Sequence, residues 1–315
     1  MVSISDFLRI SKIDSCKHLS TGMRYSDYIK WAGFYLPPYS NFDIKSIGTD
    51  KSFGFWPEFF DYTHTRVGTA HDLLLLFCHS ISESVCENVK VLNGTVNVNF
   101  ISKCRNATEF VDVVKNAAEK YSKQIQINPF LGINTDKENN ITLATMLLES
   151  GVFKGIELYG SSFADNPEKF LGIFNTARKM NLKSRISCLG CRTLKTHEEI
   201  FELMQNLHPT HLLNPNIAFN YDDLEEFKSG KIFPEIISFS KDNNIHVEFS
   251  PAPILSVSEE KAKLIREVAE NDIPFSLCTE DLLFLNKSIS EFAVDLCNAG
   301  IFSKDEMVKI ISNEQ

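Results

Sequence analysis

Short runs rich in Val, Ile and Phe alternate with runs whose apolar residues recur at helical spacing, and the alternation persists from Lys12 to Ser312. Period-2 or continuous apolar runs of four to eight residues read as strands, and 3.6-periodic runs as amphipathic helices. The pattern predicts strand one at Lys12–Leu19 and a long helix at His71–Asn88. Strand two spans Val89–Ile101 with helix Ala107–Tyr121. Strand three spans Ile125–Gly132 with helix Ile141–Ser150. Strand four is Phe153–Tyr159 with helix Pro167–Met180, and strand five is Lys183–Leu189 with helix His197–Leu207. Strand six, His211–Asn214, precedes helical segments Asp222–Lys228 and Phe233–Lys241. Strand seven, His246–Ser250, precedes helix Ser258–Glu270. Strand eight, Pro274–Cys278, is followed by helices Ser288–Ala299 and Lys304–Ser312. Gly151 and Gly300 each follow a helical run, where a positive φ at the C′ position favours glycine.

Eight strand–helix units in one continuous series describe a (β/α)₈ TIM barrel, an α/β fold, with a doubly wound open sheet as the competing architecture. The strands are brief and nearly apolar, as expected of strands buried on both faces. No Pro/Gly/Ser-rich linker or charge block divides the chain, so residues 1–315 are expected to form a single barrel domain with an extra helix at its C-terminal end.

Composition narrows the function classes. Charged residues make up 23%, with 14 Gly and 11 Pro, which excludes disorder and collagen-like repeats. A net charge of −9 argues against a nucleic-acid partner. Apolar runs such as Leu73–Cys78 are far shorter than the roughly twenty residues that cross a bilayer, so no membrane helix is expected. Met1–Ser11 does not read as a secretory signal. Without one, the eight cysteines are expected to be reduced thiols in a cytoplasmic protein.

In a barrel the active site lies at the C-terminal ends of the strands. Strand one ends with Cys16 and His18, whose i, i+2 spacing puts both on one face. Strand four gives Glu157, strand five Cys188 and Cys191, and strand six His211 and Asn214. Strand seven gives Glu248, and strand eight Cys278, Glu280 and Asp281. Thiolate, imidazole and carboxylate are all zinc ligand types. The Cys188-Leu189-Gly190-Cys191 step is equally at home in a redox site. Cys78, Cys86, Cys104 and Cys297 read as small buried hydrophobes.

Six segments, taken in order, resemble the motifs of the adenosine deaminase family of metal-dependent barrel hydrolases. Lys12-Ile13-Asp14-Ser15-Cys16-Lys17-His18-Leu19 is similar to K-x-[ED]-L-H-x-H-L, and Phe153-Lys154-Gly155-Ile156-Glu157-Leu158 to V-x-G-[IF]-D-L. Cys188-Leu189-Gly190-Cys191 falls at H-A-G-E, and His211-Leu212-Leu213-Asn214-Pro215 at R-[IV]-G-H-G. Glu248-Phe249-Ser250-Pro251 resembles E-x-C-P, and Ser276-Leu277-Cys278-Thr279-Glu280-Asp281 resembles S-[LI]-[NG]-[TS]-D-D. The aromatic run Phe53, Phe55, Trp56, Phe59 and Phe60 sits where that family has a helical lid, though its spacing suits a core stripe equally.

The resemblance implies a site with substituted parts. Cys16, His18, Cys188 and Glu280 fall at the metal positions, implying zinc or another divalent cation. Cys191 falls at the proton-donating glutamate, and Asn214 at the histidine that orients water. Asp281 keeps the second aspartate, close to the reacting water. A one-residue shift would put Ser187 and Gly190 at the H-A-G-E positions instead. Gly155, Glu157, Phe55 and Phe59 are then expected on the substrate side, with a nucleoside or base as the small-molecule ligand. An amide cannot take up a proton, and loss of a positioned acid or base costs about 10²–10⁴-fold. Efficient adenosine deamination is therefore not expected. The readings left open are a divergent metal-dependent hydrolase, a relative that binds a nucleoside-like ligand or a partner without turnover, and a thiol or thiolate–metal site.

Overall fold

The computed structural model describes residues 1–33, 65–135, 141–160, 166–187, 197–215, 234–251 and 259–312. Eight strands form one parallel sheet in chain order: β1 (Lys12–His18), β2 (Val89–Asn97), β3 (Gln126–Asn134), β4 (Gly155–Tyr159), β5 (Lys183–Ser187), β6 (His211–Leu213), β7 (His246–Phe249) and β8 (Phe275–Leu277). A parallel bridge between Lys17 and Glu280 brings the sheet back on itself. There the Glu280 N–H donates to the Cys16 carbonyl (2.8 Å) and the His18 N–H to the Glu280 carbonyl (2.9 Å). The result is a nearly closed (β/α)₈ barrel with helices between the strands.

Most predicted elements lie within two residues of the observed ones. Gly151 and Gly300 both adopt φ +74°, the left-handed conformation expected after a helix. Strand two is shorter than its pattern suggests. It ends at Asn97, whose side chain accepts from the Asn99 N–H (2.8 Å) and turns the chain into a 3₁₀ helix at Val98–Lys103. Three short helices, Ser5–Leu8, Tyr25–Ala32 and Leu282–Leu285, were not signalled by the pattern. The two of four residues are too short to show a periodicity. The expected helix at Asp222–Lys228 and the aromatic lid segment lie outside the described residues. The final helix, Lys304–Ser312, is present where predicted.

The expectation of nearly apolar strands needs correction. Residues facing outward are apolar: Ile156, Leu158, Ile186 and Leu212 have no exposed surface and pack under the helices. Burying each such side chain contributes about 1.5–3 kcal/mol. On β7 and β8, Val247, Phe249, Phe275 and Leu277 do the same against Phe292, Leu296 and Met307 of the last helices. The alternate residues point inward and are largely polar, including Thr95, Glu157, Arg185 and Glu248, all buried. Inward polar residues persist because each meets a partner of opposite charge or a hydrogen bond. Among the described residues, no helix is long and apolar enough to cross a membrane.

Candidate active site at the barrel mouth

Glu157, in the middle of β4, is the hub of the interior. Its Oε1 lies 2.9 Å from His18 Nε2. Its Oε2 accepts from Arg185 Nη1 at 2.9 Å, from the Thr95 hydroxyl at 2.5 Å, and from Cys16 Sγ at 3.7 Å. Burial alone would raise the Glu157 carboxyl. The His18 and Arg185 charges outweigh that and bring it down to about 2.

Arg185, the central residue of β5, holds this hub in place and is itself wholly buried. Its Nε and Nη2 grip both oxygens of Glu248 on β7, at 2.5 and 3.0 Å. Nη2 also donates to the Ser15 carbonyl of β1. The guanidinium lies 4.5 Å over the Phe130 ring of β3, a cation–π contact. One side chain thus ties together β1, β3, β4 and β7. Pattern reading did not single it out, although an arginine at an inward position of Lys183-Ser184-Arg185-Ile186-Ser187 was a usable signal.

His18 is clamped from both sides, with its Nδ1 3.1 Å from Asp281 Oδ1. Burial disfavours its charge, but the Asp281 and Glu157 carboxylates raise its pKa well above the ordinary value. The Thr21 hydroxyl donates to the same Asp281 oxygen and fixes it. Tyr159, at the mouth end of β4, places its ring 5.0 Å from the imidazole.

Asn214 and Glu280 form a second group beside the first. Asn214 Nδ2 donates to Glu280 Oε2 (3.0 Å) and to Ser250 Oγ (2.8 Å), and the Ser250 hydroxyl donates to Glu280 Oε2. Both residues sit in the left-handed region, at φ +50° and +53°. That region is tolerable for Asn and uncommon for Glu, and such strain concentrates at functional sites. Burial and the neighbouring Asp281 carboxylate raise Glu280 to about 7.

The described sequence-predicted residues separate into clear positions. Cys16, His18, Glu157, Asn214, Glu280 and Asp281 are all buried about the mouth. Gly155 lies two residues below Glu157 on the inward face of β4. A Cβ there would come within 2.5 Å of the Phe130 ring, so the missing side chain makes room for that ring. His211, read as belonging to the C-terminal end of its strand, is instead the first residue of β6, at the opposite mouth. Its ring centroid lies 5.3 Å from that of His246. Cys188, Cys191, Phe55 and Phe59 lie outside the described residues.

Cys16, His18 and Glu157 are the metal-capable group among the described residues, their donor atoms all within 4.8 Å of one another. The donor chemistry fits a divalent metal. A dication replacing the extra proton of His18 and the thiol proton of Cys16 leaves the net charge of the buried network unchanged. Asp281 holds the remaining imidazole proton on Nδ1 and leaves Nε2 to ligate, the usual outer support of a metal-binding histidine.

No protein-family model matches the chain. It is 26% identical to a putative adenosine/adenine deaminase of Treponema pallidum (strain Nichols), over 96% of this chain and 97% of that protein. Its fold superposes on the Arabidopsis ADAL protein complexed with IMP, with a TM-score of 0.71 and 17% identity, covering 97% of this chain and 91% of that one. It also superposes on a Burkholderia ambifaria amidohydrolase with bound zinc, with a TM-score of 0.62 and 12% identity, covering 98% and 91%. Along nearly its whole length the chain is therefore similar in sequence to a putative adenosine/adenine deaminase, and it shares the eight-stranded barrel fold of these solved structures.

Proposed function

We propose that this protein is a divergent deaminase-like hydrolase that acts on a purine-like small molecule at the C-terminal mouth of the barrel. The observation that carries this reading is the convergence of Cys16, His18 and Glu157, braced by Asp281 and Arg185, in the chamber where barrel enzymes keep their chemistry. The Treponema relative, described as a deaminase, and the fold neighbour crystallised with IMP support the purine-like substrate class. When bound, a divalent metal supplies a Lewis acid that makes water a nucleophile near neutral pH.

The chain's own residues supply the rest. Asp281 orients His18 and is the carboxylate kept from the family motif, next to where water would be deprotonated. Glu280, poised near neutrality by burial, can hold or release a proton at its other carboxyl oxygen, while Asn214 and Ser250 donate to Oε2 and steady it. Cys191 falls where the family protonates the ring, and Cys188 where it places a further metal ligand. Phe55 and Phe59 fall where it covers the base.

Asn214 also favours a second reading, a barrel that binds a nucleoside-like ligand without turnover, because its amide cannot exchange a proton. At Cys16 and Cys278 a thiol-based activity is disfavoured. Burial pushes Cys278 up to about 12 and Cys16 well above its ordinary value, so neither is a ready nucleophile.

The test is metal content after purification without added metal, together with ammonia release from a panel of nucleosides, nucleobases and mononucleotides. About one equivalent of metal and ammonia release from at least one compound are expected. A ligand that raises the melting temperature without releasing ammonia would establish the binding-only reading. Metal-free protein with no ammonia release would remove the hydrolase.

A further inference from the structure

The geometry points to a changed ligand set at this centre: Glu157 of β4, not Glu280 after β8, is the carboxylate that ligates the metal, beside a Cys16 thiolate and His18. This inference rests on the metal-dependent reading above and goes beyond it, because the motif resemblance puts the carboxylate ligand at Glu280.

Glu280 is committed elsewhere. Its Oε2 accepts from both Asn214 and Ser250, while its backbone N–H and carbonyl are tied to Cys16 and His18. That pairing and its φ of +53° fix the direction of the side chain. Among the described residues, the group whose donors lie within mutual reach contains Glu157 and not Glu280. Glu157 straddles the other two donors, with Oε1 2.9 Å from His18 Nε2 and Oε2 3.7 Å from Cys16 Sγ. Arg185 and Thr95 hold Oε2, so Oε1 is the oxygen that can exchange its hydrogen bond to His18 for a metal bond. Zinc takes nitrogen and oxygen ligands at about 2.0–2.2 Å, so the two atoms need to part by only a few tenths of an ångström. A thiolate in the set selects zinc or cobalt over magnesium or manganese.

The experiment titrates the apo full-length chain with Co(II) and Zn(II). It reads the near-ultraviolet thiolate-to-cobalt absorption and the metal affinity by competition with a chelator. Wild type is expected to show the thiolate band, and Cys16→Ser to lose it. Glu157→Gln is expected to weaken affinity at least about tenfold, the lower bound for disturbing even an outer-shell partner. Glu280→Gln is expected to stay within about twofold of wild type on that scale. Because Glu157→Gln takes a partner from buried Arg185, Glu157→Asp is the companion variant. It keeps the charge, shortens the reach, and should fold while losing affinity. Circular dichroism verifies folding in each case. Loss of affinity in Glu280→Gln with retention in Glu157→Asp, or a thiolate band persisting in Cys16→Ser, overturns the ligand assignment alone. Wild type that binds neither cation overturns the metal-dependent reading as well.

Discussion

Arg185 decides whether the interior holds. Both its carboxylate partners, Glu157 and Glu248, are fully buried, as is the guanidinium. A buried ion pair adds little over a well-packed apolar replacement, but removing one partner leaves uncompensated charge, typically at about 3–5 kcal/mol. Arg185→Met strands two carboxylates and is expected to lose stability in that range, read by urea denaturation. A loss under about 1 kcal/mol would show that the network contributes little to holding the barrel. Lysine should rescue only in part, since it cannot span Glu157, Glu248 and the Ser15 carbonyl at once. Arg185 was legible as an inward residue of its strand. What it joins was not, because its partners lie 28, 63 and 170 positions away.

The strands carry the same lesson at the scale of the element. Their alternation sets apolar residues toward the helices and polar residues toward the axis, so a one-residue slip would exchange the two sets. Gly155 opens β4 at the point where the Phe130 ring crosses toward Arg185. Gly155→Ala is expected to force that ring aside, at about 1–3 kcal/mol of overpacking. A thermal melt checks it, and an unchanged midpoint would mean that the ring relocates freely. Element boundaries were legible wherever a glycine or a polar cap marked them, as at Gly151 and Gly300. They were not legible for the short helix Leu282–Leu285, whose fully apolar sequence carries no period and whose place is set by packing at the mouth.

Across the whole molecule, the two barrel mouths are differently polarised. The C-terminal mouth collects carboxylates around His18, whereas the opposite mouth holds a buried His211 and a half-buried His246 as neutral rings beside Lys183. Burial, followed by the Lys183 and Arg185 charges, lowers His246 from 6.5 to about 4, and His211 is also held well below its ordinary value. Their unfolded forms take up protons as pH drops below 6.5 while the folded forms do not, so the stability they leave intact above 6.5 is lost toward pH 4. Glu280 has the opposite sign, since its raised pKa favours the folded state as pH falls from about 7. The His246 contribution is therefore read as a difference. Relative to wild type, His246→Asn should gain up to about 3 kcal/mol between pH 6.5 and pH 4, at 1.36 kcal/mol per unit. A difference constant with pH would mean that His246 titrates normally in the fold.

The sequence alone determined the architecture: eight strand–helix units, the order of the motifs, and the substitutions of Cys16, Asn214 and Glu280 in a deaminase-like frame. It could do so because hydrophobic period and motif order are properties of the chain taken a few residues at a time. Only the tertiary structure decided the partners. It turned Glu280 toward Asn214 and Ser250, set Glu157 between His18 and Cys16, and put Arg185 beneath them. It also placed His211 at the start of its strand, at the mouth opposite Asn214. These outcomes depend on register around a closing sheet and on the mutual satisfaction of buried charges, which residues far apart in the chain settle together.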